Sequence, residues 1–220
     1  FRQDLHSSEL WTYVGIILTA TLAISVNIYR SMPSFGQAVH HAAFTVSSII
    51  TTTGYGTLDF NLWPEFGRVI LCFLMIVGAC AGSTGGGVKC SRVLMLLRAI
   101  RREIHQIAHP RSVEVVKLDG KVAEESTVHS VLVFVGCYGL ILLGAALVVS
   151  LDKMPFDVSF SAALTCLSNV GPGLAAIGPT GNFSGFSDLS KLALSLCMIV
   201  GRLEIFPILV MFSARTWRRD

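Results

Sequence analysis

The chain is 220 residues long, 52% hydrophobic and only 14% charged, with a mean hydropathy of +0.65. A soluble domain carries about 25% charged residues, so the composition excludes an ordinary soluble enzyme or binding module and predicts an integral membrane protein. The net charge of +3 is no nucleic-acid footprint, because the basic residues are grouped between apolar stretches, where they set membrane orientation.

Residues 11–29, 66–81, 128–151 and 192–212 are long and nearly free of charge. About 20 apolar residues are needed to cross a bilayer. Three segments approach or reach that length, and 66–81 does so only if the chain continues past Gly82. The first span is predicted at about 10–29. Met32-Pro33-Ser34 breaks it, since Pro disfavours helix in the residue before it. Residues 35–50 read as a short helix, too short and too polar to cross. It leads into Thr51-Thr52-Thr53-Gly54-Tyr55-Gly56-Thr57, which makes a poor helix and a poor core but a good row of backbone carbonyls. Trp63-Pro64 marks an interface, where Trp is enriched, and another helix runs inward from about Glu65.

Next come the Gly-rich run 82–89 and a basic, amphipathic stretch over 98–127. That stretch could lie on an anionic inner leaflet or dock a cytosolic regulator. The order of the first unit then repeats. A span covers about 128–151, Met154-Pro155 breaks it, and residues 156–168 form a short helix. The loop Asn169-Val170-Gly171-Pro172-Gly173 follows, and a final span runs from about Asp188 to Ala214. Sliding the first unit by 117 residues places Thr52 on Asn169 and Gly54 on Gly171. The units are therefore 1–105, including the run 82–89, and 128–220, joined by a basic connector over 106–127.

Charge sets the orientation. Arg92, Arg98, Arg101, Arg102, Arg111, Lys117 and Lys121 fall in the central polar stretch, and Arg215, Arg218 and Arg219 end the chain. Loops rich in Lys and Arg stay in the cytoplasm. The connections 30–65 and 152–191 hold only Arg30, Lys153 and Lys191, so they face outside, and they carry the two Thr/Gly loops. Phe1-Arg2-Gln3-Asp4 is no signal peptide, and the chain is expected to be a fragment of a longer protein. Cys72, Cys80, Cys90, Cys137, Cys166 and Cys197 form no C-x-x-C pair. They read as small membrane-buried hydrophobes.

A short helix and an irregular loop inside a bilayer lack partners for their backbone groups. They are tolerated when the loop lines a water-filled cavity or is buried in protein. That condition turns each connection into a pore hypothesis, against the plainer reading of an external loop that merely contains Thr and Gly. Several such loops around an axis can replace the water shell of K⁺. Gly54 and Gly56 allow conformations that other residues avoid, and Thr52 and Thr53 can add hydroxyl oxygens or pin the loop.

Together, residues 51–57, Gly82-Ser83-Thr84-Gly85-Gly86-Gly87-Val88-Lys89, residues 169–173 and Gly201-Arg202-Leu203-Glu204-Ile205-Phe206 resemble the Trk/Ktr/HKT superfamily of potassium-uptake proteins, nearest to its bacterial TrkH-type membrane subunit. The resemblance covers the whole chain but only the second half of such a protein. It implies an all-α membrane fold in which this chain supplies the third and fourth of four membrane-pore-membrane repeats. It implies filter residues at Thr52, Thr53, Gly54, Tyr55, Gly56, Asn169, Val170, Gly171, Pro172 and Gly173, with K⁺ at Thr53, Gly54, Val170 and Gly171. A gate is implied at Gly82, Ser83, Thr84, Gly85, Gly86, Gly87 and Lys89, together with Arg202 and Glu204. It further implies K⁺ as the transported ion, multi-pass insertion in a bacterial inner membrane, homodimers, and a cytosolic nucleotide-binding ring as partner. Pro172 in place of Tyr55, and Asn169 and Val170 in place of two Thr, make the two loops unlike, so some Na⁺ leakage fits the pattern.

The run 82–89 has two competing readings. A phosphate-binding loop reads G-x-x-x-x-G-K-[ST] and follows a strand; here Val88 occupies the Lys position and an apolar span precedes, so a nucleotide site is not expected. The other is close helix packing through small residues. Arg202 lies 11 residues after Lys191, about 16 Å down a helix and near mid-bilayer. A charge there is expensive and faces protein or water. Residues at i and i+2 do not face each other, so Arg202 and Glu204 should have separate partners: Arg202 facing the pore, Glu204 a basic residue such as Lys89. A structural ion pair between helices is the plainer alternative. His40 and His41 read as packing or outer-mouth residues, and Asp59, Glu65 and Asp157 as acidic groups that could raise local cation concentration. No nucleophile–base constellation is present, so no enzyme is expected. A symporter coupling K⁺ to H⁺ or Na⁺ stays open, with Glu204 its one acidic midplane candidate.

Overall fold

The structure is a computed structural model that describes residues 7–109, 115–118 and 121–212. Among the described residues eight α-helices follow in chain order: α1 Ser8–Ile28, α2 Phe35–Ile50, α3 Glu65–Val77, α4 Cys90–Ala108, α5 Glu125–Ser150, α6 Phe156–Ser168, α7 Asp188–Arg202 and α8 Ile205–Phe212. A two-stranded hairpin, Lys117–Leu118 with Lys121–Val122, is antiparallel and pairs Lys117 with Val122. The expectations for residues 1–4, Arg111, Ala214, Arg215, Arg218 and Arg219 lie outside the described residues.

Among the described residues, two segments are long and apolar enough to cross a membrane, Ser8–Ser31 and Glu125–Ser150. Both are apolar around the whole circumference, as membrane helices are, yet each buries one stripe. In α5 the buried positions are Val128, Val131, Phe134, Tyr138, Leu142, Ala145 and Val149, three or four residues apart and so on one face. Leu132, Leu140, Leu143 and Leu147 stay exposed on the other faces, an apolar surface suited to lipid.

The short helices are stopped by local chemistry. Ser34 caps α2, its hydroxyl accepting from the Gln37 amide at 3.3 Å. Pro155 precedes α6, where a missing N–H costs nothing. At its far end α6 closes on Asn169 in the left-handed region. Helix α6 is buried from Ser161 to Ser168 on all sides, packed on α5, α7 and α3. Helix α2 packs on α1 and α3. The α3–α6 contact joins the two units.

Two expected spans are interrupted. Helix α3 stops at Val77, and Gly78 at φ +66° starts a non-helical stretch four residues ahead of the expected break at Gly82. The final span, expected as one helix from Asp188, breaks after Arg202, and Glu204 takes φ +62°. Apolar residues resume at Ile205, but Pro207 is not compatible with a continuous helix. It lacks an N–H and its ring would clash with the carbonyl of Leu203. The chain instead starts α8 with Pro207 in the first turn.

Helix α7 begins under Ser187, whose hydroxyl accepts from the Ser190 amide at 3.3 Å. The Ser187 amide in turn donates to Asp152 Oδ2 at 3.0 Å, tying the start of α7 to the end of α5. Hydrogen bonding from Ser187 holds the Asp152 carboxyl below its ordinary range. A carboxylate favoured in the folded state stabilises above its unfolded pKa and loses that contribution as pH falls through the folded value. Asp152→Ala is therefore expected to melt below wild type at neutral pH, with the gap closing as pH falls below about 4. Thermal melts in detergent across pH 3–7 check this; a gap independent of pH would refute it.

Candidate functional site

The chain leaves α2 and α6 in the same way. Thr52 and Asn169 stand in the left-handed region at φ +57° and +54°, and Gly54 and Gly171 follow at +79° and +112°. The Thr52 amide donates to Ile49 O at 3.0 Å and the Thr53 amide to Ser48 O at 2.8 Å. In the second unit the Asn169 amide donates to Cys166 O at 3.3 Å and the Val170 amide to Thr165 O at 3.0 Å. A β-branched Thr at positive φ is a backbone outlier, of the kind found where geometry serves a site. Each loop thus starts at a helix C-terminus, where the peptide dipoles concentrate negative potential.

The anchoring differs in one atom. The Thr165 hydroxyl accepts from the Gly171 amide at 3.0 Å and donates to Pro172 O at 3.0 Å. Ser48, at the matching place, is 6% exposed and its hydroxyl has no partner. In the first loop the Thr51 hydroxyl donates to Ser47 O at 2.7 Å and lies 2.8 Å from the Thr53 hydroxyl. With the Thr51 proton on Ser47, Thr53 is the donor and its own oxygen lone pairs stay available. The Gly173 amide donates to Ile177 O at 2.7 Å. Tyr55 is 75% exposed, and with Thr53 and Phe44 it borders an open apolar groove of about 500 Å³ beside α2.

The two loops lie side by side. A Cβ on Gly54 would collide with the Val170 carbonyl oxygen and stand 3.0 Å from Pro172 Cδ, so only glycine lets them approach this closely. The Gly-rich run lies against both. A Cβ on Gly85 would stand 3.1 Å from Thr52 Oγ1, and one on Gly86 would collide with the Ser168 carbonyl. The feet of this run are tied by Val88 N to Ile76 O at 2.9 Å and Cys90 N to Ala79 O at 3.0 Å.

Charged side chains hold it from the other side. Arg202 Nη1 donates to Thr84 O. Glu204 Oε1 lies 2.8 Å from Lys89 Nζ, and Oε2 lies 2.8 Å from Arg92 Nη2. The Arg92 guanidinium also sits 4.0 Å above the Phe134 ring. Between the run and α5–α7 is a cavity of about 290 Å³, lined by Thr84, Lys89, Tyr138, Arg202 and Glu204 among others. Tyr138, 5% exposed, is hydrogen-bonded to Ser168 Oγ at 2.7 Å.

Arg202 and Glu204 thus have separate partners. Sequence reasoning missed Arg92, although it lies three residues from Lys89 and so on the same helix face. It also missed Thr165, whose signal was only its place four residues before Asn169. His41 Nδ1 lies 2.9 Å from Thr57 Oγ1. Among the described residues no group of His, Cys, Asp and Glu could hold a metal ion.

A family model described as "TrkH: Cation transport protein" matches residues 5–219. The chain is 33% identical over 217 residues to the Trk system potassium uptake protein TrkI of Halomonas elongata, covering 98% of this chain and 44% of that protein. It is 34% identical to the Trk system potassium uptake protein TrkG of Escherichia coli K12, covering 97% and 44%. The crystal structure of the potassium transporter TrkH from Vibrio parahaemolyticus superposes with a TM-score of 0.89 at 34% identity, over 96% of this chain and 45% of that one. The chain spans less than half the length of these relatives. By its matched length, its helical membrane architecture and its identity to these proteins, the chain belongs to the TrkH family of cation transport proteins.

Proposed function

We propose that this chain forms two repeats of a K⁺-uptake pore, with residues 1–105 and 128–220 as the pore units and 106–127 as a basic cytoplasmic connector. The observation that carries the reading is the pairing of two loops with matched backbone turns, packed through Gly54 against the Val170 carbonyl and backed by the Gly-rich run. The oxygens of Thr53, Gly54, Val170 and Gly171 replace part of the ion's water shell. Tyr55 and Gly56 complete the first loop. Pro172, its carbonyl taken by Thr165, and Gly173, its amide on Ile177 O, anchor the second. The C-terminal ends of α2 and α6 add negative potential.

Below the loops the run of Gly82, Ser83, Thr84, Gly85, Gly86, Gly87, Val88 and Lys89 obstructs the path. Arg202, tied to Thr84 O, places a guanidinium at the obstruction and repels cations. The Glu204 carboxylate holds Lys89 and Arg92, which supports a structural role for it and weighs against a proton-coupled symport through that group. The resident membrane is a bacterial inner membrane crossed several times, with a homodimer and a cytosolic nucleotide-binding ring as partners by analogy with the family.

Flux recordings on the full-length protein in liposomes test the gate. Arg202→Ala and deletion of residues 82–87 are each expected to raise K⁺ flux with selectivity kept; unchanged flux in folded variants would reduce both features to packing. A reversal potential that follows the K⁺ gradient alone is expected, and one that shifts with the H⁺ or Na⁺ gradient would instead favour coupled symport.

The unequal anchoring of the two loops gives a second expectation. Thr165→Val leaves the Gly171 amide and the Pro172 carbonyl without a partner, at a cost of about 1–3 kcal/mol. It should lower both melting temperature and K⁺ selectivity, whereas Thr165→Ser should retain most of both. Ser48→Ala removes a hydroxyl that binds nothing and should change stability little. Equal effects at the two positions, measured by melting and by K⁺/Na⁺ permeability ratio, would contradict this assignment.

A further inference from the structure

The two loops leave the site through connectors that are clasped to each other. The Asn61 side chain donates from Nδ2 to Ala175 O at 3.0 Å, and the Ala175 amide donates to Asn61 Oδ1 at 2.8 Å. One primary amide thus meets both backbone groups of a residue 114 positions away, using a donor and an acceptor at once. Asp59 extends the clasp. Its Oδ1 accepts from the Asn61 amide at 2.9 Å and its Oδ2 from the Thr180 hydroxyl at 3.1 Å.

The surrounding backbone is shaped to admit Asn61. Ala175 is held at φ +51°, a costly place for a residue with a Cβ. A Cβ on Gly178 would collide with the Asn61 amide, so glycine is needed there. Pro179 Cβ lies 3.5 Å from where a Cβ on Gly56 would stand. Ala175 is two residues past Gly173, and Asp59 three past Gly56. The clasp therefore grips both loops at their exits through tethers too short to absorb much motion. It also belongs to one seam. The 117-residue offset places Gly178 where the first unit has Asn61, so the second unit has no side chain to make the same grip.

We propose that Asn61 is a positioning residue for ion selectivity: through Ala175 it sets the separation of the two filter loops, and with it the spacing of their carbonyl oxygens. The proposal rests on the pore reading above. Whether selectivity arises from the size of the ion cage or from the number and direction of its carbonyls, both depend on that separation. Asp59 is thereby a part of the clasp, with both carboxylate oxygens engaged.

The test uses full-length protein in liposomes, with the K⁺/Na⁺ permeability ratio taken from reversal potentials and melting temperatures measured in parallel. Asn61→Ala removes both bonds, and Asn61→Asp keeps the acceptor for the Ala175 amide but loses the donor. The ratio is expected to fall about tenfold in Asn61→Ala, the size of one to two net hydrogen bonds, and by less in Asn61→Asp, while K⁺ still passes. A ratio equal to wild type in folded Asn61→Ala, or in Asn61→Asp if the alanine variant does not fold, would overturn the proposal and leave the pore reading intact. Wild-type protein that shows no preference for K⁺ would overturn the pore reading and this role with it.

Discussion

A chain that leaves its helix inside a bilayer must find a partner for every peptide group it frees, because lipid offers none. That requirement organises this protein. The chain leaves the helix at the ends of α2 and α6, at the run after α3, and at the break between α7 and α8, and these places lie against one another. The Gly-rich run gives a carbonyl to Arg202 and takes its closest packing from the Ser168 carbonyl and Thr52. Asn169 Nδ2 reaches Met198 O at 3.2 Å, one turn before the α7 break. Much of the freed backbone bonds back to the helix it leaves, and the irregular segments are buried against one another and cross-linked by side chains rather than left facing lipid.

The charges follow from the same constraint. An isolated intramembrane ion is costly, and removing one partner of a buried pair leaves the other uncompensated. Lys89 and Arg92 reach Glu204 from α4 and its cap, and Arg92 gains a second partner in the Phe134 face. Lys89 and Arg92 share the one carboxylate of Glu204 while Arg202 rests on Thr84 O, so the cluster keeps a net positive charge beside helix ends that are negative.

Much of this was legible from residues alone. The short helices α2 and α6 announced themselves by length and by the Pro residues before them. Separate partners for Arg202 and Glu204 were expected from helix geometry, yet the helix ends at Arg202 and Glu204 takes φ +62°, so the break itself sends the two side chains apart. The break at Leu203 was hidden because Arg202 and Glu204 read as two charges on one continuous helix rather than as its end, and only Pro207 marked it. Thr165, Tyr138 and Asn61 were not legible, since each acts on a residue brought to it by tertiary packing. A Thr in a short apolar helix or an Asn in a connector has many ordinary explanations. The kinship of the two loops could be inferred from the 117-residue offset, but not that one hydroxyl anchors the second loop while its counterpart, Ser48, binds nothing.

The ties at the feet of the Gly-rich run have a mechanical consequence. Ile76 is joined to Val88, and Ala79 to Cys90, by backbone hydrogen bonds, so the run is an Ω-shaped loop with a fixed base. A tilt or slide of α3 relative to α4 cannot pull such a loop straight without first breaking those bonds. The freedom that remains belongs to the residues between the ties, which include glycines at φ +82° and +81° at positions 82 and 87. The strand of chain beneath the two carbonyl loops is therefore mechanically insulated from the helices that carry it, like a drawbridge whose hinge pins are set in the wall.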